Sequence, residues 1–183
     1  MNRIGDWIQT NSGVAFWPLD PRPEEIRIED IAHALAHQCR FSGHTREFYS
    51  VAEHSVRVSL MCDPRDALWG LLHDASEAYL QDVARPIKQL PAMAEYRNAE
   101  ERLQKVIGLK FGLHRQQPDS VSIADKIMLG IEARDLMAPQ QPGWEKWLAL
   151  IGDRTEQITT THYPPAAKAM FLAQFEILTG VRG

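Results

Sequence analysis

The 183-residue chain is predicted to fold as a single all-α domain, a helical bundle. Two observations carry that prediction. Apolar residues recur at helical spacing through most of the chain beyond Glu25, and no run of alternating apolar and polar residues suggests a sheet. Prolines, glycines and small polar residues stand where such helices would begin and end. Hydrophobic content of 44% and charged content of 24% suit a globular protein, and the length suffices for one sizeable core. Residues 1–25 are expected to form an extended N-terminal segment, and 138–183 a helical extension packed on the domain.

Each element follows in order. The prolines of "FWPLDPRP" favour extended or turn backbone over helix. "PEEIRIEDIAHALAHQC" places Ile28, Ile31 and Leu35 on one face, with acids at the end where they suit the helix dipole. "RFSGHTREFY" reads as a loop. "SVAEHSVRVSLM" starts at a capping Ser50; its valines permit a strand, but the short loop and helical neighbours favour a helix. Asp63-Pro64 opens an uninterrupted helix through "RDALWGLLHDASEAYL". A loop at Asp82 to Pro86 precedes the charged helix "PAMAEYRNAEERLQKVIGLKFG", closed near Gly112. "PDSVSIADKIMLGIEARDLM" buries Val121, Ala124, Met128 and Ile131; "APQQPG" ends it, and a last helix runs through "PAAKAMFLAQFEILTG".

The formal charge of −4 argues against a nucleic-acid polymer as partner but leaves room for a small anion held by local cations or a metal. No window approaches the roughly 18 apolar residues of a membrane span. Cys39 and Cys62 form no CxxC pattern and read as reduced thiols. With no signal-peptide pattern in "MNRIGDWIQTNSG", the expectation is a cytoplasmic protein.

The chemistry centres on "LLHDASEAYLQDVARPIK", where His73 and Asp74 follow an apolar run. On a helix, adjacent side chains point about 100° apart, so these two meet only at an ion placed across from both. Glu77 faces the same region one turn on. His54 in "AEHSV" and Asp125 in "SIADKIM" complete a candidate set; Asp125 stands on an apolar face, where an unpaired carboxylate is costly to bury. Singly, each has a plainer explanation: a helix-end polar pair, a hydrogen-bonded histidine, a salt-bridged aspartate. Jointly, two imidazoles and two carboxylates suit one divalent ion, Mn²⁺, Fe²⁺, Co²⁺ or Zn²⁺.

The ordered pattern resembles the HD superfamily of metal-dependent phosphohydrolases, and within it the compact 5'-deoxynucleotidases and related deoxynucleoside-triphosphate hydrolases. The matching text is "RF" at Arg40-Phe41, "AEHS" at Ala52 to Ser55, "HDASE" at His73 to Glu77, Asp82, "PIK" at Pro86 to Lys88, and "ADK" at Ala124 to Lys126. It spans about Ile28 to Met137. The likeness implies a single HD domain with His54, His73, Asp74 and Asp125 as metal ligands. It gives Glu77 an acid–base role and places Asp82 near water and sugar. Arg40 approaches the phosphate or sugar, and Phe41 stands where relatives often carry tryptophan beside the nucleoside.

The residues agree with that chemistry. A divalent ion neutralises phosphate charge and makes water nucleophilic. Arg40 and Lys88 could grip phosphate oxygens, and His44 could reach the pocket from its loop. The expected substrate is a 5'-deoxynucleoside monophosphate. The alternatives are a deoxynucleoside triphosphate cleaved to nucleoside and triphosphate, or a regulatory protein that binds nucleotide or metal without turnover. A homo-oligomer is an open expectation. His33 and His37 read as a surface pair, Trp144 and Trp147 as packing residues, and "AEYRNAEERLQK" as a solvated face.

Overall fold

The chain enters through a hairpin of β1 (Ile8–Gln9) and β2 (Ala15–Phe16), paired antiparallel with Ile8 opposite Phe16. The structure is a computed structural model that describes residues 3–139 and 142–181. The hairpin adds a small sheet to the segment expected to be merely extended. It lies against the first helix, where Ser12 donates its N–H and hydroxyl to the buried Asp30 carboxylate, each at 2.7 Å. Beyond it the described residues are helical or connecting, so the all-α class holds.

The helices are α1 (Ile28–His37), α2 (Val51–Met61), α3 (Ala67–Leu72), α4 (Glu77–Leu80), α5 (Arg85–Lys88), α6 (Ala94–Phe111), α7 (Asp119–Leu136), α8 (Glu145–Leu148) and α9 (Pro164–Thr179). Local chemistry sets several ends. The Ser50 hydroxyl caps α2 by accepting the Glu53 N–H at 3.1 Å. Asp63 accepts the Arg65 N–H ahead of Pro64, and Gly112 closes α6 in the left-handed conformation with φ 70°. Pro23 to Glu25 form a separate short turn, so α1 begins later than the sequence suggested. Of the breaker "APQQPG", residues 140 and 141 lie outside the described set.

α2 is the central helix, packed against α1, α3, α7 and α9. Its first turns feed one apolar cluster with Ile31, Leu35, Leu71, Leu72, Leu103 and Phe171, all fully buried. Val58, further along α2, joins a second cluster with Trp69, Val121, Met128 and Ile131. The C-terminal stretch expected to pack on the domain supplies Ala167, Phe171 and Phe175 to the first cluster itself. Burying a side chain such as Phe171 contributes about 1.5–3 kcal/mol. α8 comes so close to α7 that a Cβ on Gly130 would sit 2.5 Å from the Trp147 carbonyl oxygen, and only glycine allows that approach. α2 packs along α7, and α3 contacts both.

Candidate metal centre

His54, one turn into α2, is fully buried. Its Nδ1 lies 2.6 Å from Oε1 of Glu132 on α7, itself fully buried. With Nδ1 donating to that carboxylate, a neutral ring turns Nε2 outward as a lone pair that can ligate an ion. His73 is oriented differently: its Nδ1 donates to the Gly70 carbonyl at 2.8 Å. The two Nε2 atoms then face each other at 3.3 Å.

The helix expected to run unbroken through "HDASEAYL" stops at Leu72 and resumes at Glu77. Between them the chain makes tight turns, with the Ala75 N–H bonded to Leu72 O and the Glu77 N–H to Asp74 O. Gln104 of α6 explains the break. Its amide donates to Leu72 O at 2.7 Å and accepts the Ser76 N–H at 3.3 Å. Those two groups would be partners in a continuous α-helix. The side-chain amide sits between them, so the turn opens where His73 and Asp74 stand.

Asp74 Oδ2 lies 3.2 Å from His73 Nε2 and 3.7 Å from His54 Nε2. Asp125 Oδ1 lies 3.3 Å from His54 Nε2 and 3.9 Å from His73 Nε2. His54, His73 and Asp74 form a tight group, their ligand atoms within 4.8 Å of one another, and could hold a metal ion. The donor set fits one. With both rings neutral, the two Nε2 lone pairs facing at 3.3 Å need a proton or a metal ion between them. Nitrogens at about 2.05 Å on one ion at the tetrahedral angle stand about 3.3 Å apart. Side-chain exposure grades across the set: 0% for His54, 5% for His73, 20% for Asp74 and 40% for Asp125. Asp125 thus stands at the open edge beside that group, more exposed than its apolar neighbours suggested, while Glu132 on the same helix is fully buried.

Electrostatics divide the neighbourhood. Burial opposes a charge on His73, but Asp74 and Asp125 outweigh it and push the imidazole up to about 9. The reciprocal attraction, chiefly from His73, overcomes burial and holds Asp74 well below the usual carboxylate range. Glu77 goes the other way. Burial first, then the charges of Asp74 and Asp82, push it up to about 9, against the pull of Lys88 and Arg40. Its Oε2 is buried with no hydrogen-bond partner among the described residues.

The remaining candidates surround this group. Lys88 Nζ lies 3.3 Å from Glu77 Oε1 and 2.8 Å from Glu100 Oε1, so the ammonium expected to meet phosphate already holds Glu77 in place. Arg40 donates to Glu132 Oε2 at 3.2 Å, while its buried Nε has no partner among the described residues. Its guanidinium carbon lies 5.4 Å from the centre of the Phe41 ring, and that ring packs at 6.4 Å on Trp144. His44 is exposed on the same turn. Asp82 lines a cavity of about 330 Å³ with His37, Gln38, Cys39, Ser42 and Gln81. Gln38 braces that wall by donating to the Glu77 carbonyl at 2.8 Å and accepting the Asp82 N–H at 3.1 Å. Phe41, Ser42 and Gln81 are the non-glycine residues with positive φ among the described residues, and Ser42 and Gln81 line this cavity. Such backbone strain concentrates at working sites.

Two features escaped the sequence. Glu132 falls seven residues after Asp125, two helical turns along the same face, and that spacing could have flagged it. The run "AEYRNAEERLQK" is not wholly solvated: Tyr96, Glu100 and Gln104, at four-residue spacing, turn toward the candidate centre. Tyr96 donates to the Gln81 carbonyl at 2.6 Å, Glu100 holds Lys88, and Gln104 opens the helix. His33 and His37 do pack together, with ring centres 4.2 Å apart.

No protein-family model matches the chain. No helix among the described residues is long and apolar enough to cross a membrane. An uncharacterized protein of Rhodobacter capsulatus is 34% identical over 188 residues, covering 94% of this chain and 95% of that protein. The uncharacterized protein YfdR of Escherichia coli is 37% identical over 177 residues, covering 96% of this chain and 97% of its own length. At that identity over nearly the full length of both, the chain belongs to the YfdR family.

Proposed function

We propose that this protein is an HD-superfamily metal-dependent phosphohydrolase of deoxynucleotides, releasing phosphate from 5'-deoxynucleoside monophosphates. One observation carries the reading. Two imidazole Nε2 atoms, each with its own Nδ1 engaged by a hydrogen bond, converge at 3.3 Å beside the carboxylates of Asp74 and Asp125. His54, His73, Asp74 and Asp125 would hold the ion, which could be Mn²⁺, Fe²⁺, Co²⁺ or Zn²⁺. Bound there, it supplies charge neutralisation and an acidified water.

The chain's own residues would do the rest. In hydrolysis, water oxygen joins phosphorus, the P–O5' bond breaks, and the leaving alkoxide takes a proton. Glu77 is the group that can carry one. Neutralising Asp74 removes part of the repulsion that raises Glu77, which brings it toward the range of an acid–base group. The buried Arg40 Nε, without a partner among the described residues, could meet a phosphate oxygen, and Lys88 keeps Glu77 in position. Both cations already carry a protein carboxylate, which suits a single phosphate group better than a triphosphate chain. Phe41 would be the wall against C2' of the sugar.

The test is turnover of all deoxy- and ribonucleotides by the purified protein with added Mn²⁺ or Co²⁺, scored by product. Orthophosphate and deoxynucleoside are expected, with 2'-deoxy substrates ahead. Tripolyphosphate would move the assignment to the triphosphohydrolases, and no turnover of any nucleotide would leave a binding protein. Phe41→Ala should narrow the preference for deoxyribose, because a clash or buried unpaired hydroxyl is worth tens- to thousandfold discrimination, on the order of a few kcal/mol. Equal kcat/KM for ribo- and deoxynucleotides in the wild type would remove the deoxy assignment.

A further inference from the structure

We infer that Glu132 is a positioning residue that makes the candidate metal site and the Arg40 anion site one unit, an inference that rests on the metal-centre reading. Glu132 is fully buried on α7, and its two oxygens serve different partners. Oε1 takes His54 Nδ1 at 2.6 Å, and Oε2 takes the Arg40 guanidinium at 3.2 Å. A carboxylate without such partners would not survive full burial. Its charge-assisted bond to Nδ1 fixes the His54 ring with Nε2 toward His73 and makes that nitrogen a stronger ligand. Its bond to Arg40 holds the guanidinium beside the centre, with Nε left over. Neither partner can shift without disturbing the oxygen that serves the other.

Glutamine at this position offers one acceptor where glutamate offers two. Its carbonyl can satisfy His54 or Arg40; its NH₂ then confronts the other donor. The experiment measures Co²⁺ binding by calorimetry, the visible Co²⁺ absorption spectrum, and inorganic phosphate binding to the Co²⁺-loaded protein. Wild type, Glu132→Gln and Glu132→Asp are compared. Glu132→Gln should weaken Co²⁺ by about tenfold to a hundredfold, the scale for losing an outer partner of a histidine ligand, and should change the spectrum. It should weaken phosphate binding as well. Glu132→Asp keeps the charge but is too short to span both partners, so it should fall between; it also serves if the glutamine variant does not fold. Unchanged Co²⁺ affinity and spectrum in either folded variant would overturn the role, as would metal binding that falls while phosphate binding does not. A wild-type protein that binds no Co²⁺ would instead bring down the metal-centre reading itself.

Discussion

The wall that α2 and α7 build and the wall that the turn after α3 builds face each other across one gap, yet they hold charge in opposite ways. On the first, Glu132 is enclosed between His54 and Arg40, and the buried charges answer one another. On the second, Asp74, Glu77 and Asp82 crowd within nine residues, and Lys88 is shared between Glu77 and Glu100 of α6, which holds it more closely. The first wall neutralises itself. The second accumulates negative potential that burial amplifies, which is why Glu77 rises while Asp74 leans on the imidazoles. A closed wall fixes geometry, and an open, charge-heavy wall recruits a cation and keeps a proton available.

The largest expected effect comes from removing the bridge between the walls. His73→Ala should lose bound metal and essentially all turnover, since one of the two converging nitrogens disappears. Saturating Mn²⁺ should stabilise the wild type by about 2.7 kcal/mol at a hundredfold excess over Kd, a rise of several degrees in Tm. The variant should show no such rise in a thermal melt. A metal-dependent rise of wild-type size together with normal turnover would show that His73 is not a ligand.

The next effect isolates the charged wall. Glu77→Ala should still bind metal and nucleotide but turn over at least about a hundredfold more slowly, the usual scale for an acid–base group. Stability should carry the same signature after chelation. Glu77 folds with its carboxyl raised from an ordinary 4.5 to about 9, so between those values the native state binds more protons than the unfolded chain. Stability must therefore fall as pH rises through that window. His73, raised from 6.5 to about 9, adds to the fall over the upper part of it. Glu77→Gln, neutral at every pH, should flatten the decline in Tm without abolishing the share due to His73. A slope equal to that of the wild type would mean that Glu77 is not held protonated.

The two walls also differ in how much the sequence disclosed. The grouping of His54, His73 and Asp74, which could hold an ion, was legible because ordered polar residues interrupt apolar helical patterns, and the same patterns gave the all-α fold. Glu132 was half-legible: its spacing from Asp125 was visible, but a glutamate followed by Ala133 and Arg134 also reads as the start of a solvated stretch. The break after Leu72 was not legible, because "HDASEAYL" contains neither glycine nor proline. Its cause is a residue of another helix, and no local pattern reports a tertiary hydrogen bond. The reason given for Asp125 was incomplete, since its side chain lies 3.3 Å from His54 Nε2 but is 40% exposed.

That tertiary bond supplies the finest test of the contrast. Gln104 holds the Leu72 carbonyl and the Ser76 N–H apart by bonding to both. In Gln104→Leu the simplest repair is for those two groups to bond directly, extending α3 through His73 and Asp74. A regular helix would then send the two side chains about 100° apart and draw Asp74 away from the imidazoles. The repair replaces two side-chain hydrogen bonds with one backbone bond, so the net stability cost should be small, about 1 kcal/mol. Metal affinity should nevertheless fall by about tenfold, the lower end of the range for outer-shell losses. Gln104→Glu separates geometry from simple loss of contact: it still accepts the Ser76 N–H but, when ionised, cannot donate to Leu72 O. It should lie between wild type and the leucine variant in Co²⁺ affinity by calorimetry. Wild-type affinity in a folded Gln104→Leu protein would show that the turn holds its shape unaided, and that the charged wall, like the closed one, is self-sufficient in geometry.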